Sequence, residues 1–275
     1  MDSIAVLLTI GFVIGTLGTL IGAGGGFVLV PLLILTHPDF SAETITAISI
    51  AVVAGNAISG TVAYARIGRI DYKAGLIFAL FTIPGSIIGV YSTRFIPIHL
   101  FHVIFGCLLL VLATYLILKK QAHSHPASYN PALKRWKQHS IEDKQGTRFS
   151  YTYNQTLGII ISVIVGYLSP LLGIGGGIIH VPAMVNWLHF PVYVATATSH
   201  FILAIMASVS VLVHVLNGSY NDPYVVRMVI TLTIGVLAGA QLGAYLSHKI
   251  HGRIIIRVLA VCIGLVGLRI LIGAL

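Results

Sequence analysis

A glycine-rich phrase that occurs twice, each time inside a long apolar stretch, places the strongest constraint on how this chain folds. Residues 15–31 read GTLGTLIGAGGGFVLVP and residues 166–182 read GYLSPLLGIGGGIIHVP, with nine of the seventeen positions identical. Both copies contain three successive glycines. Because each glycine costs about 1 kcal/mol relative to alanine inside a helix, three in a row predict a break in an otherwise helical segment.

The composition indicates a membrane protein. Hydrophobic residues make up 57% of the chain and charged residues 8%, against roughly 25% charged residues in soluble domains. The net charge of +9 resides on segment ends and loops, so we interpret it as a topology signal rather than as a nucleic-acid surface. We predict an all-α polytopic membrane protein with apolar segments at 4–36, 44–65, 74–92, 99–118, 155–188, 193–216, 226–247 and 254–274.

The chain is predicted to consist of two membrane halves joined by a polar linker. Residues 1–118 form the N-terminal membrane repeat and residues 155–275 the C-terminal one. The stretch 119–154 between them holds seven Lys/Arg and is predicted to be a basic cytoplasmic linker. It is either flexible or carries a short amphipathic helix around Pro131–His139.

The resemblance between the halves extends beyond the glycines. The sequence AISIAV in the second segment corresponds to ATSHFI in the second half, so that Ser49 matches Ser199. Further along, PGSIIGVY corresponds to AGAQLGAY. These matches predict a duplicated unit of four segments, each copy opening with a glycine-broken or re-entrant helix.

Two topologies follow from the length of the first segment in each half. A straight helix over 4–36 would span about 50 Å, whereas the hydrocarbon core of a bilayer is about 30 Å thick. If this segment re-enters its own face, the halves are inverted and thirteen of the sixteen Lys/Arg lie on one side against two on the other. If it crosses once, the halves are parallel and the division is eleven against four. The tendency of basic residues to stay inside favours the inverted topology, and both topologies place the linker in the cytoplasm.

The phrase GxGGGxxxVP, an A-x-S sequence one segment later, a G-x-x-D turn at Gly68–Asp71 and a PG…G segment together resemble the sulfite exporter TauE/SafE family, also called the toluene-sulfonate uptake permease superfamily. The resemblance covers nearly the whole chain. It implies a secondary transporter of the cell inner membrane that exports sulfite, an organosulfonate such as sulfoacetate, or another small anion. An ion-coupled uptake permease for a sulfonate or other small organic anion is the alternative. The second half departs from the pattern, because Asn221 aligns with Asp71 and Ala238 with Pro84.

The predicted substrate site lies at the two breaks, where helix ends expose backbone N–H groups that suit an anion. Nearby hydroxyl, amide and imidazole groups in the following segments add donors, although each also has a structural interpretation as a helix-bridging or self-bonded side chain. The predicted substrate-binding residues are Gly24, Gly25, Gly26, Ser49, Asn56, Gly175, Gly176, Gly177, Ser199 and His200.

The sequence also argues against other functions. It has no P-loop that would bind ATP and no HExxH motif. We therefore predict no enzymatic activity, no catalytic residues, no cofactor and no metal. The expected partners are the small anion and the lipid bilayer, with protons as a candidate coupling ion and no nucleic acid. The sequence is compatible with a homo-oligomer.

Overall fold

A computed structural model of the chain describes residues 3–118, 136–247 and 252–274. These ranges contain ten α-helices and one two-stranded sheet. The first half comprises α1 (Ile4–Ile21), α2 (Gly26–Thr36), α3 (Ala42–Ile67), α4 (Tyr72–Thr93) and α5 (Ile98–Leu118). The linker and second half comprise β1 (Trp136–Glu142), β2 (Arg148–Asn154), α6 (Gln155–Leu172), α7 (Gly177–Asn186), α8 (Val192–Leu216), α9 (Pro223–Leu246) and α10 (Gly252–Ala274).

Seven of the described helices are long and apolar enough to cross a membrane. The prediction of a polytopic helical membrane protein is therefore confirmed. Helices α2 and α7 have 11 and 10 residues, so each spans only about 15 Å, half of the hydrocarbon core. The apolar segments 4–36 and 155–188 are thus each divided into one long and one short helix.

Each of the two long helices is followed by a glycine in a backbone conformation that other residue types rarely adopt. Gly22 follows α1 with φ of 85° and Gly173 follows α6 with φ of 69°. These left-handed conformations carry no steric cost for glycine and form a common helix C-terminus. The duplicated glycines therefore end the helices at corresponding positions.

The β1–β2 hairpin (136–154) lies at one end of the helix bundle. We call this end the hairpin face and the other end of the bundle the opposite face. Helix α3 runs between them. It begins at the opposite face, where Glu43 Oε1 accepts a hydrogen bond from Nε of Arg94 at 2.9 Å. It ends at the hairpin face, where the N–H of Lys144 donates to the carbonyl of Ile67 at 3.0 Å.

Glycines on α1 and α9 bring these two helices into close contact. A Cβ on Gly11 would overlap the carbonyl oxygen of Leu232, and a Cβ on Gly243 would overlap that of Thr16. Because the residue numbers rise together along the contact, the two helices run parallel and both start at the opposite face. Small residues allow helices to approach this closely inside a membrane.

Each broken segment returns to the face from which it starts. Helix α2 is followed by His37, whose Nε2 bonds with the hydroxyl of Tyr224 in the first turn of α9 at 3.0 Å. Helix α6 starts directly after β2 at the hairpin face. The segment after α7 returns there, since Leu188 lies near Gly158 in the first turn of α6. The pairs α1–α2 and α6–α7 are therefore two helical hairpins that enter the bundle from opposite faces.

The linker contains a β-hairpin, which the sequence analysis did not predict. Residues Trp136–Glu142 pair antiparallel with Arg148–Asn154. The predicted alternative of a short helix around Pro131–His139 is therefore wrong for residues 136–139, which belong to β1. Residues 131–135 lie outside the described ranges. Burial alternates along β2, so one side of the strand packs on the helix bundle.

Two acidic side chains attach this β-hairpin to the turn between α3 and α4. Arg69 donates to Oδ2 of Asp143 through Nε at 2.9 Å and Nη2 at 2.8 Å. Asp71 accepts from the Tyr151 hydroxyl at 2.6 Å and lies 2.6 Å from Nδ1 of His139. The G-x-x-D turn thus serves as the docking point for the linker.

We expect docking of the β-hairpin to survive mild acid. Burial acts to raise the pKa of Asp143, but the hydrogen bonds from Arg69 and from two backbone N–H groups, and the charge of Arg69, together hold this pKa below the ordinary 3.8. When docking lowers the pKa of a carboxyl group, the ionised group stabilises the docked state at every pH above its ordinary pKa. This stabilisation is lost as the pH falls from the ordinary pKa through the lowered pKa. Proteolysis of 136–154 should therefore stay slow at pH 5 and accelerate only below about pH 4. The variant Asp143→Asn should be cleaved faster than wild type at neutral pH, and equal cleavage would contradict the prediction.

Candidate functional site

The glycine runs form the tips of the two helical hairpins. Gly24 and Gly175 have φ of 78° and 79°, and Gly25 and Gly176, which precede α2 and α7, have φ of 87° and 54°. Other residue types rarely adopt these conformations, so the runs both break the helices and turn the chain. The N-termini of α2 and α7 consequently open inside the bundle, where their first N–H groups have no partner within the helix.

The two tips touch each other backbone to backbone. A Cβ on Gly26 would overlap the carbonyl oxygen of Gly173, and a Cβ on Gly177 would overlap the carbonyl oxygen of Gly22. All four residues are buried. The contact is reciprocal, since each short helix begins against the residue that ends the other half's long helix.

Serine hydroxyls from α3 and α8 join this contact. Ser49 Oγ donates to the carbonyl of Gly173 at 2.6 Å, and Ser199 Oγ donates to the carbonyl of Gly22 at 3.3 Å. The two serines matched by sequence therefore make corresponding bonds across the halves. The hydroxyls bond carbonyls of the other half's hairpin rather than of their own preceding turn, so both serines lie at the tips.

Removal of the Ser49 hydroxyl should weaken the fold more than removal of the Ser199 hydroxyl. The Ser49 bond is the shorter by 0.7 Å, and an intramolecular hydrogen bond contributes about 1 kcal/mol net. We expect Ser49→Ala to lower the free energy of unfolding by about 1–2 kcal/mol and Ser199→Ala by less than 1 kcal/mol. Thermal unfolding of both variants in the same detergent measures this. A larger loss in Ser199→Ala would show that the hydroxyls do not act through these bonds.

Asn56 lies beside the tip of the first hairpin. Its Oδ1 accepts a hydrogen bond from the Thr19 hydroxyl at 2.7 Å. Its Nδ2 is buried and has no hydrogen-bond partner. An amide N–H that is buried without a partner costs about 1–3 kcal/mol, so this donor is a strong candidate for contact with a ligand.

His200 belongs to α8 and packs against α3 one helical turn beyond Asn56, among a different set of neighbours. The imidazole is fully buried, with Nδ1 3.4 Å from the carbonyl of Thr196, and Nε2 has no partner. The ring packs beside Gly60 and edge-on against Tyr64, with ring centroids 5.5 Å apart. His200 therefore takes no part in the contact between Ser199 and Gly22, although both side chains lie in the bundle interior.

Three residues near the tips were missed by the sequence analysis, namely Gly18, Thr19 and Ser169. All three lie within the duplicated phrase at positions where the two copies differ. The analysis followed the identities between the copies and so passed over these differences. A comparison of the unmatched positions would have found them.

The acidic side chains that the structure describes lie away from the tips. Among the described residues, those at the opposite face include Asp39, Glu43 and Asp222, which line an open cavity of about 450 Å³ together with Arg94. Within the described ranges no group of three or more His, Cys, Asp or Glu side chains could hold a metal ion. The tips therefore present backbone amides, hydroxyls and an amide side chain.

Membrane-crossing helices that enclose two glycine-tipped hairpins define a multi-pass membrane transporter. The family model for the sulfite exporter TauE/SafE matches residues 7–270, and the chain belongs to this family.

Curated relatives carry the general description of probable membrane transporter protein. The probable membrane transporter protein YunE of Bacillus subtilis is 32% identical over 275 residues, which cover 98% of this chain and 97% of the relative. The probable membrane transporter protein MJ0441 of Methanocaldococcus jannaschii is 27% identical over 277 residues, covering 97% and 94%. No solved structure matches the chain significantly.

Proposed function

We propose that this transporter exports a small sulfur-containing anion, such as sulfite or an organosulfonate such as sulfoacetate, bound near the midplane between the two helical hairpins. The observation that carries the proposal is the meeting of two glycine tips, each the N-terminus of a short helix, beside the unpartnered amide of Asn56. The family of the chain supports the substrate class.

The electrostatics of the tips favour an anion. A helix N-terminus carries a partial positive charge of about half an elementary unit. Two such ends point into the same buried region, while the described acidic side chains lie at the two faces of the bundle. A cation carrier would be expected to place carboxylates at membrane depth.

Export needs no coupling ion when the cell interior is negative. Moving one negative charge outward releases about 2.3 kcal/mol per 100 mV. An uptake permease for the same anions would have to work against this potential and would need coupled ions. His200 is the candidate for proton coupling, since it is an ionisable side chain in the membrane interior whose buried Nε2 has no hydrogen-bond partner.

The substrate assignment is tested with purified protein in liposomes. Vesicles loaded with sulfite, sulfoacetate, thiosulfate or taurine are compared for efflux. We expect efflux of sulfite or sulfoacetate to rise several-fold when the potential is negative inside, and efflux of zwitterionic taurine to stay at the background of protein-free vesicles. Uptake that requires an imposed ion gradient would instead support the permease, and lack of transport of all three anions would contradict both proposals.

The two halves are further proposed to be inverted repeats with the hairpin face in the cytoplasm. Support comes from the two hairpins entering from opposite faces, from three longer helices following each hairpin, and from the concentration of basic residues on the linker side. This arrangement is typical of secondary transporters.

Cysteine labelling from outside the cell measures the topology. In a background without Cys107 and Cys262, single cysteines at 37–43 and at the C-terminus should react with an impermeant reagent. Cysteines at 189–192 should react only after permeabilisation. A protected C-terminus together with reactive residues at 37–43 would select parallel halves.

A further inference from the structure

We propose that the ion pair between Glu43 and Arg94 is a gate at the opposite face, which closes the seam between two packing units that each combine helices from both halves. The first packing unit comprises α1, α3 and α9, and the second comprises α4, α6 and α8. Such a gate does not depend on which anion is carried, and it requires only that the chain is a transporter.

Glycine contacts establish the core of each packing unit. As α1 packs on α9, so α4 packs on α6, because a Cβ on Gly89 would overlap the carbonyl oxygen of Tyr167 and a Cβ on Gly166 would overlap that of Thr82. Each pair joins one helix from each half of the sequence. The two sequence halves are therefore interleaved and cannot separate without breaking close backbone contacts.

Hydrogen bonds assign α3 and α8 to different packing units. Ser59 in α3 donates to the carbonyl of Leu237 in α9 at 2.9 Å. Thr198 in α8 accepts from the N–H of Asp71, which caps α4, at 3.0 Å. Helices α3 and α8 meet each other along the seam, where Gly60 packs on His200. Rocking of one packing unit against the other would therefore open the bundle between α3 and α8.

The Glu43–Arg94 pair crosses this seam at the opposite face. Glu43 lies in the first turn of α3, and Arg94 directly follows α4. Nε of Arg94 donates to Oε1 of Glu43 at 2.9 Å, and Nη2 of Arg94 donates at 2.7 Å to the carbonyl of Asn217, which directly follows α8. Arg94 thus ties Glu43 of the first packing unit to the ends of two helices of the second.

A serine hydroxyl holds the same carboxylate oxygen. Ser219 Oγ donates to Oε1 of Glu43 at 2.8 Å and lies 3.1 Å from Nδ1 of His214. Because the serine has one proton and the carboxylate can only accept, the Nδ1–H of His214 donates to Ser219. The fully buried imidazole of His214 in α8 therefore orients the hydroxyl that reinforces the ion pair.

The exposure of the pair suits a contact that opens and closes. The side chains of Arg94 and Glu43 are 36% and 25% exposed, and both residues line the open cavity of about 450 Å³ at the opposite face. An ion pair in contact with water contributes little net stability, so it breaks readily. The Arg69–Asp143 pair, which fastens the β-hairpin at the hairpin face, is instead buried. The opposite face therefore has the weaker closure.

Cysteine accessibility in detergent-solubilised full-length protein tests the gate. In a background without Cys107 and Cys262, the reporter Ala47→Cys is placed one turn beneath Glu43 on the same side of α3, at a fully buried position. Ala197→Cys is the matched reporter, because Ala197 is the corresponding residue of α8 in the second half and is also fully buried. It lies near the start of α8, at the hairpin face.

Glu43→Gln is expected to raise the rate at which a maleimide labels the Ala47→Cys reporter at least fivefold, because the neutral amide no longer forms an ion pair with Arg94. Labelling of the Ala197→Cys reporter should change less than twofold. Asp39→Asn, which neutralises another carboxylate of the same cavity, should leave the labelling of both reporters unchanged. Arg94→Gln serves as a second variant if Glu43→Gln does not fold, and it should raise labelling of Ala47→Cys at least fivefold.

A rise confined to the Ala47→Cys reporter in the Glu43 and Arg94 variants supports the gate. Unchanged labelling of this reporter, an equal rise at Ala197→Cys, or an equal rise in Asp39→Asn would each overturn it. The measurement uses no transported substrate, so its result is independent of the proposed anion.

Discussion

Alanine at Gly177 is expected to reduce transport at least tenfold and to lower the thermal midpoint of the protein. The added methyl group would overlap the carbonyl oxygen of Gly22, so the tips of the two hairpins would have to move apart. Forcing extra atoms into a packed interior typically costs about 1–3 kcal/mol. Gly26→Ala should act in the same way, because its Cβ would overlap the carbonyl oxygen of Gly173. Efflux from liposomes and thermal unfolding measure the two effects.

Gly273→Ala is the matched control for this experiment. Gly273 lies in α10, and a Cβ there would meet no atom within 4 Å. Alanine is the better helix former by about 1 kcal/mol, so transport should be unchanged and stability equal or slightly higher. Wild-type transport by well-folded Gly177→Ala would show that the contact between the tips is not needed for transport.

Asp71→Asn is expected to release the β-hairpin from the helix bundle. The carboxylate accepts from the Tyr151 hydroxyl at 2.6 Å and lies 2.6 Å from His139 Nδ1. Burial, together with the charge of Asp71, raises the pKa of Tyr151, so its hydroxyl remains protonated and keeps donating. Hydrogen bonds to charged groups contribute about 1.5–3 kcal/mol. Proteolysis within 136–154 should therefore accelerate at least tenfold.

The second half supplies the control for Asp71. Asp222 accepts from the N–H of Tyr224 at 2.8 Å and caps α9, as Asp71 accepts from the N–H of Ala74 at 3.0 Å and caps α4. The turn acid is therefore present in both halves, one residue after the aligned Asn221. Since asparagine caps helices as well as aspartate does, Asp222→Asn should change stability by less than 0.5 kcal/mol. If Asp71→Asn also leaves proteolysis unchanged, the carboxylate is only a helix cap.

The sequence alone determined the helical segments and their breaks. Apolar composition over about 20 residues is sufficient to indicate a membrane helix, and three successive glycines are sufficient to interrupt one. Both signals are local, so the bounds of α3, α4 and α5 fall within two residues of the predicted segments. The six glycines of the candidate site lie at the hairpin tips for the same local reason.

Only the tertiary structure decided which groups meet. Ser49 reaches Gly173 across 124 positions in the sequence, and neither residue's surroundings indicate the other. The orientation of the Asn56 amide likewise depends on Thr19, which lies in a different helix, and its Nδ2 is left without a partner. The sequence could not show this, because a polar side chain in an apolar segment looks the same whether its partner is the protein or a ligand.

The linker also shows which features the sequence determines and which only the tertiary structure decides. Its composition identified it as polar and basic, yet a two-stranded hairpin alone is marginally stable in water. Strands β1 and β2 are held because Arg69 pairs with Asp143 and because Tyr151 packs on Phe190, with ring centroids 4.5 Å apart. The sequence determined where the backbone bends, since that depends on each residue's own conformational freedom. The structure decided which donors and charges come together, since that depends on contacts between distant parts of the chain.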